Sequence, residues 1–482
     1  MLIDGALLRG AGDPFDVVDP ATGAVHTTLT AASADQVDAG IAAAAAAFPG
    51  WRDRPQGDRS GALRGLAAGI EARRDDLVRA LTIETGRPAS RNGLYVDMAR
   101  DLFAQYAELA RVFGGRVAPA NEARQLDLVL RVPYGVVAAL VPWNYPLLLL
   151  TFKVAPALAA GNTVVIKPAS ETPLTTLLLG ELFAEHLPAG VANVVVGGGS
   201  TVGQAIVDHP GVDLVAFTGS TEVGTAIGAA CAARAVPTHL EMGGKDAAIV
   251  FADADLGRAA EGTVWSAFLN AGQVCTSTER VYVHRSLIDD YLERVVALAG
   301  AIAVGDPFDE ATQVGPLRSE RARSAVLGQV AAATEAGATV LAGGHALDRP
   351  GFFMAPTVVA DVDHTMGLVR DETFGPVLPV MAFDDVEEAI ALANDTPYGL
   401  GGSVYTSDPV VAERCWRELR TGMLHVNDPL VDNVAAPFGG VGASGDAREL
   451  GWEAMASFTV PKHVHWALAP ERKPWWYVPD AG

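Results

Sequence analysis

From residue 136 onward the sequence alternates short apolar runs with stretches of helical period, and that alternation limits the chain to few architectures. The runs cover 136–140, 163–166, 194–196, 214–217 and the neighbourhood of Leu240. Between them, 174–186 and 202–209 carry helical patterns. Strand, helix and strand repeated in this way predict βαβ units and a parallel sheet. A second half of the same kind follows Gly243-Gly244: a strand at 247–251, a helix at 256–270, a loop holding Cys275 and a strand at 281–284. The fold class is α/β, and 482 residues exceed what one hydrophobic core usually serves.

The region before residue 136 reads as helical. Ser33-Ala34-Asp35-Gln36 has the form of a capping box and opens an alanine-rich helix through Phe48. A second helix is predicted over 58–84, ending near Gly86 and Pro88, and a third over 94–113 before Gly114-Gly115. The longest apolar region, 135–152, is interrupted by Pro142, Asn144 and Pro146, so it reads as a strand, a rigid loop and a helix start rather than a membrane span.

Charge and cysteine count narrow the function classes. With 57 acidic against 35 basic residues the formal charge is −22, a field that repels phosphate backbones and anionic lipid heads. Nucleic acid and membranes are not expected partners. Three cysteines, Cys231, Cys275 and Cys415, make no disulfide framework and lack the spacing of a metal site. A cytoplasmic, reducing setting follows, and 1–12 shows no basic region leading into an apolar core.

Chemistry enters with Cys275 and Glu241, which stand 34 residues apart (275 − 241). A thiol with a free pKa of about 8.5 attacks only as thiolate. A carboxylate nearby can take the proton of the thiol, or that of a water molecule. A lone cysteine is more often packing than catalysis, so the pair gains meaning only from its surroundings. One such surrounding is Gly219-Ser220-Thr221-Glu222-Val223-Gly224, which follows a strand and precedes a helix predicted over 225–233. That context lets a helix N-terminus approach a pyrophosphate, although the spacing is not the three-glycine dinucleotide fingerprint.

Taken in order, the blocks Pro142-Trp143-Asn144-Tyr145-Pro146, Lys167-Pro168-Ala169-Ser170, Phe217 to Gly224, Leu240-Glu241-Met242-Gly243-Gly244-Lys245, Gly272-Gln273-Val274-Cys275, Glu372-Thr373-Phe374-Gly375-Pro376 and Pro437-Phe438-Gly439-Gly440 resemble the aldehyde dehydrogenase superfamily almost end to end. The resemblance implies a Rossmann-like cofactor domain over 1–113 and 134–240, an α/β catalytic domain over 241–442, and a small β bridging element over 114–133 and 458–482 that pairs subunits as a homodimer or homotetramer. Trp475, Trp476 and Tyr477 then become interface residues or pack on their own subunit. It also implies oxidation of an aldehyde to a carboxylic acid with NAD or NADP as hydride acceptor.

The same resemblance assigns roles. Cys275 is the nucleophile, Glu241 the base for hydrolysis, and the Asn144 amide with the Cys275 backbone N–H the oxyanion site. Lys167 is expected at the adenosine ribose with Ser170 beside it, Gly219, Ser220 and Gly224 at the pyrophosphate, and Glu372 at the nicotinamide ribose. Phe374 is expected beside the nicotinamide, and Trp143 is expected among the cofactor-binding residues. Lys153 and Glu449 support the site through hydrogen bonds or proton relay. Ser170 replaces the glutamate of many NAD-dependent members, which permits NADP.

Tyr145, Phe152, Phe268 and Phe438 are the aromatic candidates for the aldehyde pocket. They fit a cationic amino-aldehyde, which Tyr145-Pro146-Leu147-Leu148 resembles in the betaine- and amino-aldehyde members, and equally a medium-chain or aromatic aldehyde. Phe152 and Phe438 stand where those members often have tryptophan, and Gly442 and Ala447 also depart from the pattern. The rival readings are a CoA-acylating relative, against which Glu241 speaks, and a non-catalytic binding protein on the same fold.

Overall fold

Five buried strands organise the first half of the chain in a computed structural model that describes residues 1–473 and 475–477. They are Val136–Val141, Thr163–Pro168, Ala192–Val194, Leu214–Thr218 and Thr238–Glu241. All four pairings between them are parallel, and Thr238–Glu241 and Leu214–Thr218 lie on one side of Val136–Val141 while the other two lie on the opposite side. Helices Pro146–Ala160, Leu174–His186 and Thr221–Ala232 provide the crossovers. Strand order therefore reverses between Val136–Val141 and Leu214–Thr218, the position where an open α/β sheet leaves a crevice at its carboxyl edge. Side-chain alternation covers both faces: Val137, Ala139 and Val141 enter one core, and Val136, Ala138 and Leu140 another.

The second sheet is ordered Thr339–Ala342, Thr357–Ala360, Val377–Phe383, Thr278–His284, Asp246–Val250, Gly402–Tyr405 and His425–Val426, with only the first pair antiparallel. Its core is separate from that of the first sheet. A third, three-stranded sheet joins Arg116–Ala118, Gln125–Pro133 and Thr459–Ala467, the last pairing antiparallel along the whole of Gln125–Pro133.

The N-terminal helix Ala34–Arg52 begins with the expected capping box, Ser33 and Gln36 bonding reciprocally. The single helix predicted over 58–84 is instead two, Gln56–Ala72 and Arg74–Thr85, separated by Arg73 at φ −111°. Asp75 and Asp76 in the first turn of the second piece suit a new N-terminus, because carboxylates stabilise the positive end of a helix. The helix predicted over 225–233 begins earlier, at Thr221, with Ser220 as its N-cap. Among the described residues no helix is long and apolar enough to cross a membrane, and no cluster of His, Cys, Asp and Glu could hold a metal ion.

Candidate active site

Cys275 is carried by a turn that the backbone adopts only under restraint. After helix Leu256–Phe268, Asn270, Ala271 and Gly272 all take positive φ, at 52°, 57° and 73°. For the two non-glycine residues such conformations cost about 1 kcal/mol or more each, so the surroundings must over-determine them. They do. Asn270 Nδ2 donates to the Gln273 carbonyl at 3.2 Å, and Gln273 Nε2 donates back to the Asn270 carbonyl at 2.9 Å. Gln273 Oε1 accepts from the Arg318 backbone N–H at 2.8 Å. Gly272 lies so near the Gly375 carbonyl that a Cβ there would stand 2.1 Å from its oxygen.

The same turn holds Asn144. Its Nδ2 donates to the Gln273 carbonyl at 3.1 Å, which uses one of the two amide hydrogens and leaves the other free. The Asn144 carbonyl accepts from Arg87 at 3.3 Å and from Asn270 Nδ2 at 3.4 Å. Arg87 is buried, bonded to Asn92 Oδ1 at 2.6 Å and stacked on the rings of Tyr95 and Tyr145 at 4.4 and 4.2 Å. The loop between Pro142 and Pro146 is thus clamped from two sides.

Glu241 ends strand Thr238–Glu241 at the carboxyl edge of the first sheet. It is buried, and neither carboxylate oxygen has a hydrogen-bond partner among the described residues. Burial first, and the Glu449 carboxylate second, push its pKa well above the ordinary range. Gly439, at φ +151°, makes room for it: a Cβ there would stand 2.7 Å from Glu241 Oε1. Cys275 is half-buried, and desolvation followed by the charge of Glu241 pushes its thiol well above the usual value. In the resting protein the sulfur therefore holds its proton.

Behind Glu241 lies a fully buried ionic group. Lys153 donates to Thr218 Oγ1 at 2.5 Å and pairs with Glu449 Oε1, and neither Lys153 nor Glu449 is exposed. His239 Nε2 approaches Glu449 to 3.7 Å, with its ring stacked on Phe458. Burial would push the Glu449 carboxyl up, yet Lys153 and His239 hold it below the ordinary carboxylate value. Removing one partner of such a pair leaves an uncompensated buried charge, at about 3–5 kcal/mol. Lys153→Met is therefore expected to lower the thermal unfolding midpoint sharply, and the double variant Lys153→Met/Glu449→Leu to recover most of the loss. A double variant less stable than the single one would contradict this account.

Candidate cofactor residues gather at the carboxyl edge of the first sheet. Lys167 and Ser170 stand at the end of Thr163–Pro168, and Gly219 and Ser220 at the end of Leu214–Thr218. Lys167 is buried and, among the described residues, bonds only the Pro168 carbonyl, at 2.9 Å, and burial lowers its pKa to about 8. The Ser220 hydroxyl accepts from Val223 N, so the amides of Thr221 and Glu222 face outward without an intrahelical acceptor. Gly224 is not part of this turn. It lies inside the helix, where a Cβ would meet Met242 Sδ at 2.3 Å, and its role is close helix packing.

From the second sheet, Glu372 Oε1 accepts the Gly244 N–H at 3.0 Å, and burial with the Glu279 charge raises the Glu372 carboxyl to about 7. Phe374, at φ 51°, meets Trp143 edge to face at 5.5 Å, both rings half-buried.

On the other side of the sulfur is a cavity of about 260 Å³, lined by Cys275 together with Tyr145, Phe152 and Phe438. Phe268 is not among its walls. It is packed in the core of the second sheet and borders a neighbouring cavity, because the helix ends there and turns its last ring inward. Leu94, Tyr95 and Trp265 are among the further aromatic and aliphatic walls, and one carboxylate, Asp432, joins them.

Thus a half-buried thiol, whose turn anchors an amide, opens on an apolar cavity and feels the charge of a buried carboxylate at the carboxyl edge of the first sheet. The aldehyde dehydrogenase family model matches residues 8–464. The chain belongs to that family. A 2-hydroxymuconic semialdehyde dehydrogenase of Pseudomonas sp. (strain CF600) is 39% identical over 476 residues, covering 96% of this chain and 98% of the relative. Peroxisomal aminoaldehyde dehydrogenase 2 of Pisum sativum is 39% identical over 478 residues, 96% of this chain and 94% of the relative. The solved structure of betaine aldehyde dehydrogenase from Staphylococcus aureus in complex with NAD+ superposes with a TM-score of 0.96 at 34% identity, over 99% of this chain and 96% of that one. As an aldehyde dehydrogenase the protein oxidises aldehydes to carboxylic acids with NAD or NADP, by way of a cysteine.

Sequence reading missed Arg87, His239, Asn270, Gln273 and Asp432. Asn270-Ala271-Gly272 did carry a signal, since asparagine and glycine favour left-handed turns. The others gain meaning only through partners distant in the chain.

Proposed function

We propose that Cys275, Asn144 and Glu241 carry the aldehyde oxidation. The observation that supports this most is a buried Glu241 with both oxygens unpartnered, at the same end of the sheet as a thiol whose turn also anchors the Asn144 amide. Cys275 passes its proton to Glu241, and Sγ bonds the aldehyde carbon. The oxygen of the adduct takes hydrogen bonds from the free Asn144 N–H and from the Cys275 backbone N–H, which has no other partner among the described residues. Losing one such donor costs about 3 kcal/mol in barrier. Bound NAD(P) supplies the acceptor for the hydride, with its two electrons, that leaves the adduct. The acyl group remains on Sγ as a thioester, Glu241 gives up the thiol proton to solvent and then takes one from water, and the resulting hydroxide displaces the thiolate, which Glu241 reprotonates as the acid leaves.

The carboxyl edge of the first sheet suits a dinucleotide. The outward amides of Thr221 and Glu222 favour a pyrophosphate, and Lys167, which has no carboxylate hydrogen-bonded to it, favours a ribose hydroxyl. Glu372 suits the second ribose, and Trp143 with Phe374 offers an aromatic wall. Gly219 belongs to the same turn, where a Cβ would strike the Phe217 ring at 2.3 Å.

Ser170 donates to Glu171 Oε2 at 3.1 Å, and Glu171 is exposed, so its repulsion of a 2′-phosphate is screened by water and salt. NADP turnover is expected to be measurable. A preference for NAD above about 10³-fold in kcat/KM would contradict this. One aldehyde panel with NAD and NADP, with and without CoA, tests the reading: acid formation independent of CoA supports it, and strict CoA dependence overturns the hydrolytic role of Glu241.

In this reading 1–113 with 134–240 bind the dinucleotide, 241–442 supply the nucleophile, and 114–133 with 458–482 bridge subunits of a homodimer or homotetramer. Residues 474 and 478–482 of that last segment lie outside the described residues. Support comes from the exposure of Trp466, Trp475, Trp476 and Tyr477. Three unpaired cysteines suit a cytoplasmic setting.

A further inference from the structure

The cavity that opens on Cys275 contains, among its described walls, one carboxylate and no cationic side chain. Asp432 accepts no hydrogen bond from any described residue and sits among apolar and aromatic walls, Phe152, Trp265 and Phe438 included. Two arginines lie near this region without lining the cavity: Arg91 borders the neighbouring cavity that shares Trp265, and Arg87 is committed elsewhere. Arg87 is stacked between Tyr95 and Tyr145, bonded to Asn92 and Asn144, and does not border the cavity. Asp432 also borders a second cavity of about 280 Å³ with His425, Val431 and Phe438. Asp432 is half-buried there, and a carboxylate partly withdrawn from water among apolar walls is costly unless something pairs with it.

Resting on the aldehyde-oxidation reading above, we propose that Asp432 is a specificity-determining residue, selecting aldehydes that carry a cationic ammonium or amine group at the end remote from the carbonyl over neutral and anionic ones. Two features act together. The carboxylate supplies a counter-charge, and the electron-rich faces of the rings attract the same cation. An aldehyde with a remote carboxylate meets like charge and finds no arginine or lysine in the cavity.

The charges around Asp432 support a function beyond binding. Burial raises its carboxyl to about 6 against the lowering effect of His425, so it is ionised at neutral pH, with Glu449 as the other charge acting on it. Asp432 is among the carboxylates, with Glu241, Asp246 and Glu372, that hold the Cys275 thiol in its protonated form. A cation placed against Asp432 cancels part of that field, so the preferred substrate eases ionisation of the sulfur it is about to meet.

The experiment compares kcat/KM for trimethylammonioacetaldehyde with that for 3,3-dimethylbutanal, which has the same shape with carbon in place of nitrogen, and with that for 4-oxobutanoate. In the native protein the cationic aldehyde is expected to lead and 4-oxobutanoate to trail. Asp432→Asn should lower the ratio of cationic to neutral by about tenfold or more, as loss of a charged partner does. Asp432→Lys should raise the relative use of 4-oxobutanoate. A ratio unchanged in Asp432→Asn, or 4-oxobutanoate preferred by the native protein, overturns the proposal while leaving aldehyde oxidation intact. Absence of turnover with every aldehyde overturns the underlying reading as well. A second measurement needs no variant: tetramethylammonium should inhibit the native protein competitively at concentrations where neopentanol does not, and equal inhibition by the two counts against a charge-selective site.

Discussion

Alanine in place of Cys275 is expected to lower kcat/KM for every aldehyde by more than about 10⁴-fold while leaving the fold intact. The turn that carries the residue is held by Asn270, Gln273 and Gly272 rather than by the sulfur, so its removal costs little packing. No other thiol can substitute, because Cys231 and Cys415 are buried in separate cores. Alkylation by iodoacetamide gives an independent reading of the same atom. Since burial and the Glu241 charge raise the thiol pKa, the thiolate fraction of the free protein grows with pH, and the alkylation rate should climb without a plateau below about pH 8.5. Dehydrogenase turnover retained in Cys275→Ala would exclude the covalent route.

What could be read from the sequence was whatever depends on neighbours along the chain. The apolar runs gave strands because a parallel sheet buried on both faces needs unbroken hydrophobic stretches, as in Val136–Val141. The Ser33 capping box began a helix because its two bonds are local. Signature blocks singled out Cys275, Glu241 and Asn144 without any knowledge of distance. Failures have the opposite cause. Gly224 looked like part of a phosphate turn, but Met242 on the neighbouring strand decides its role. Phe268 looked like a pocket wall, and the direction in which its helix ends turned it into the core. His239 is an unremarkable histidine until Glu449, far along the chain, comes within 3.7 Å. Asp432 reads as one loop carboxylate among many, and only the closing of three elements around Cys275 shows it to be the charge of an otherwise apolar cavity.

Glu241→Gln should separate the two halves of the reaction. Glutamine keeps the shape and cannot accept a proton, so the thiol must lose its proton to solvent: adduct formation and hydride loss slow but survive, while hydrolysis of the thioester fails. A burst of reduced cofactor equal to the concentration of active sites is expected, followed by steady turnover lower by about 10³-fold, within the usual range for a lost general base. The burst should be slower than in the native protein if Glu241 also receives the thiol proton, yet of undiminished amplitude. The pH dependence has a definite sign. Burial and Glu449 raise the Glu241 carboxyl, so at low pH it is protonated and idle, and native deacylation must rise with pH through a range above that of ordinary carboxylates. That limb should vanish in Glu241→Gln. Hydroxylamine, which attacks a thioester without a protein base, should restore part of the turnover of the variant. Loss of the burst amplitude would instead place Glu241 before the thioester, as an obligatory acceptor of the Cys275 proton, and hydroxylamine would then restore nothing.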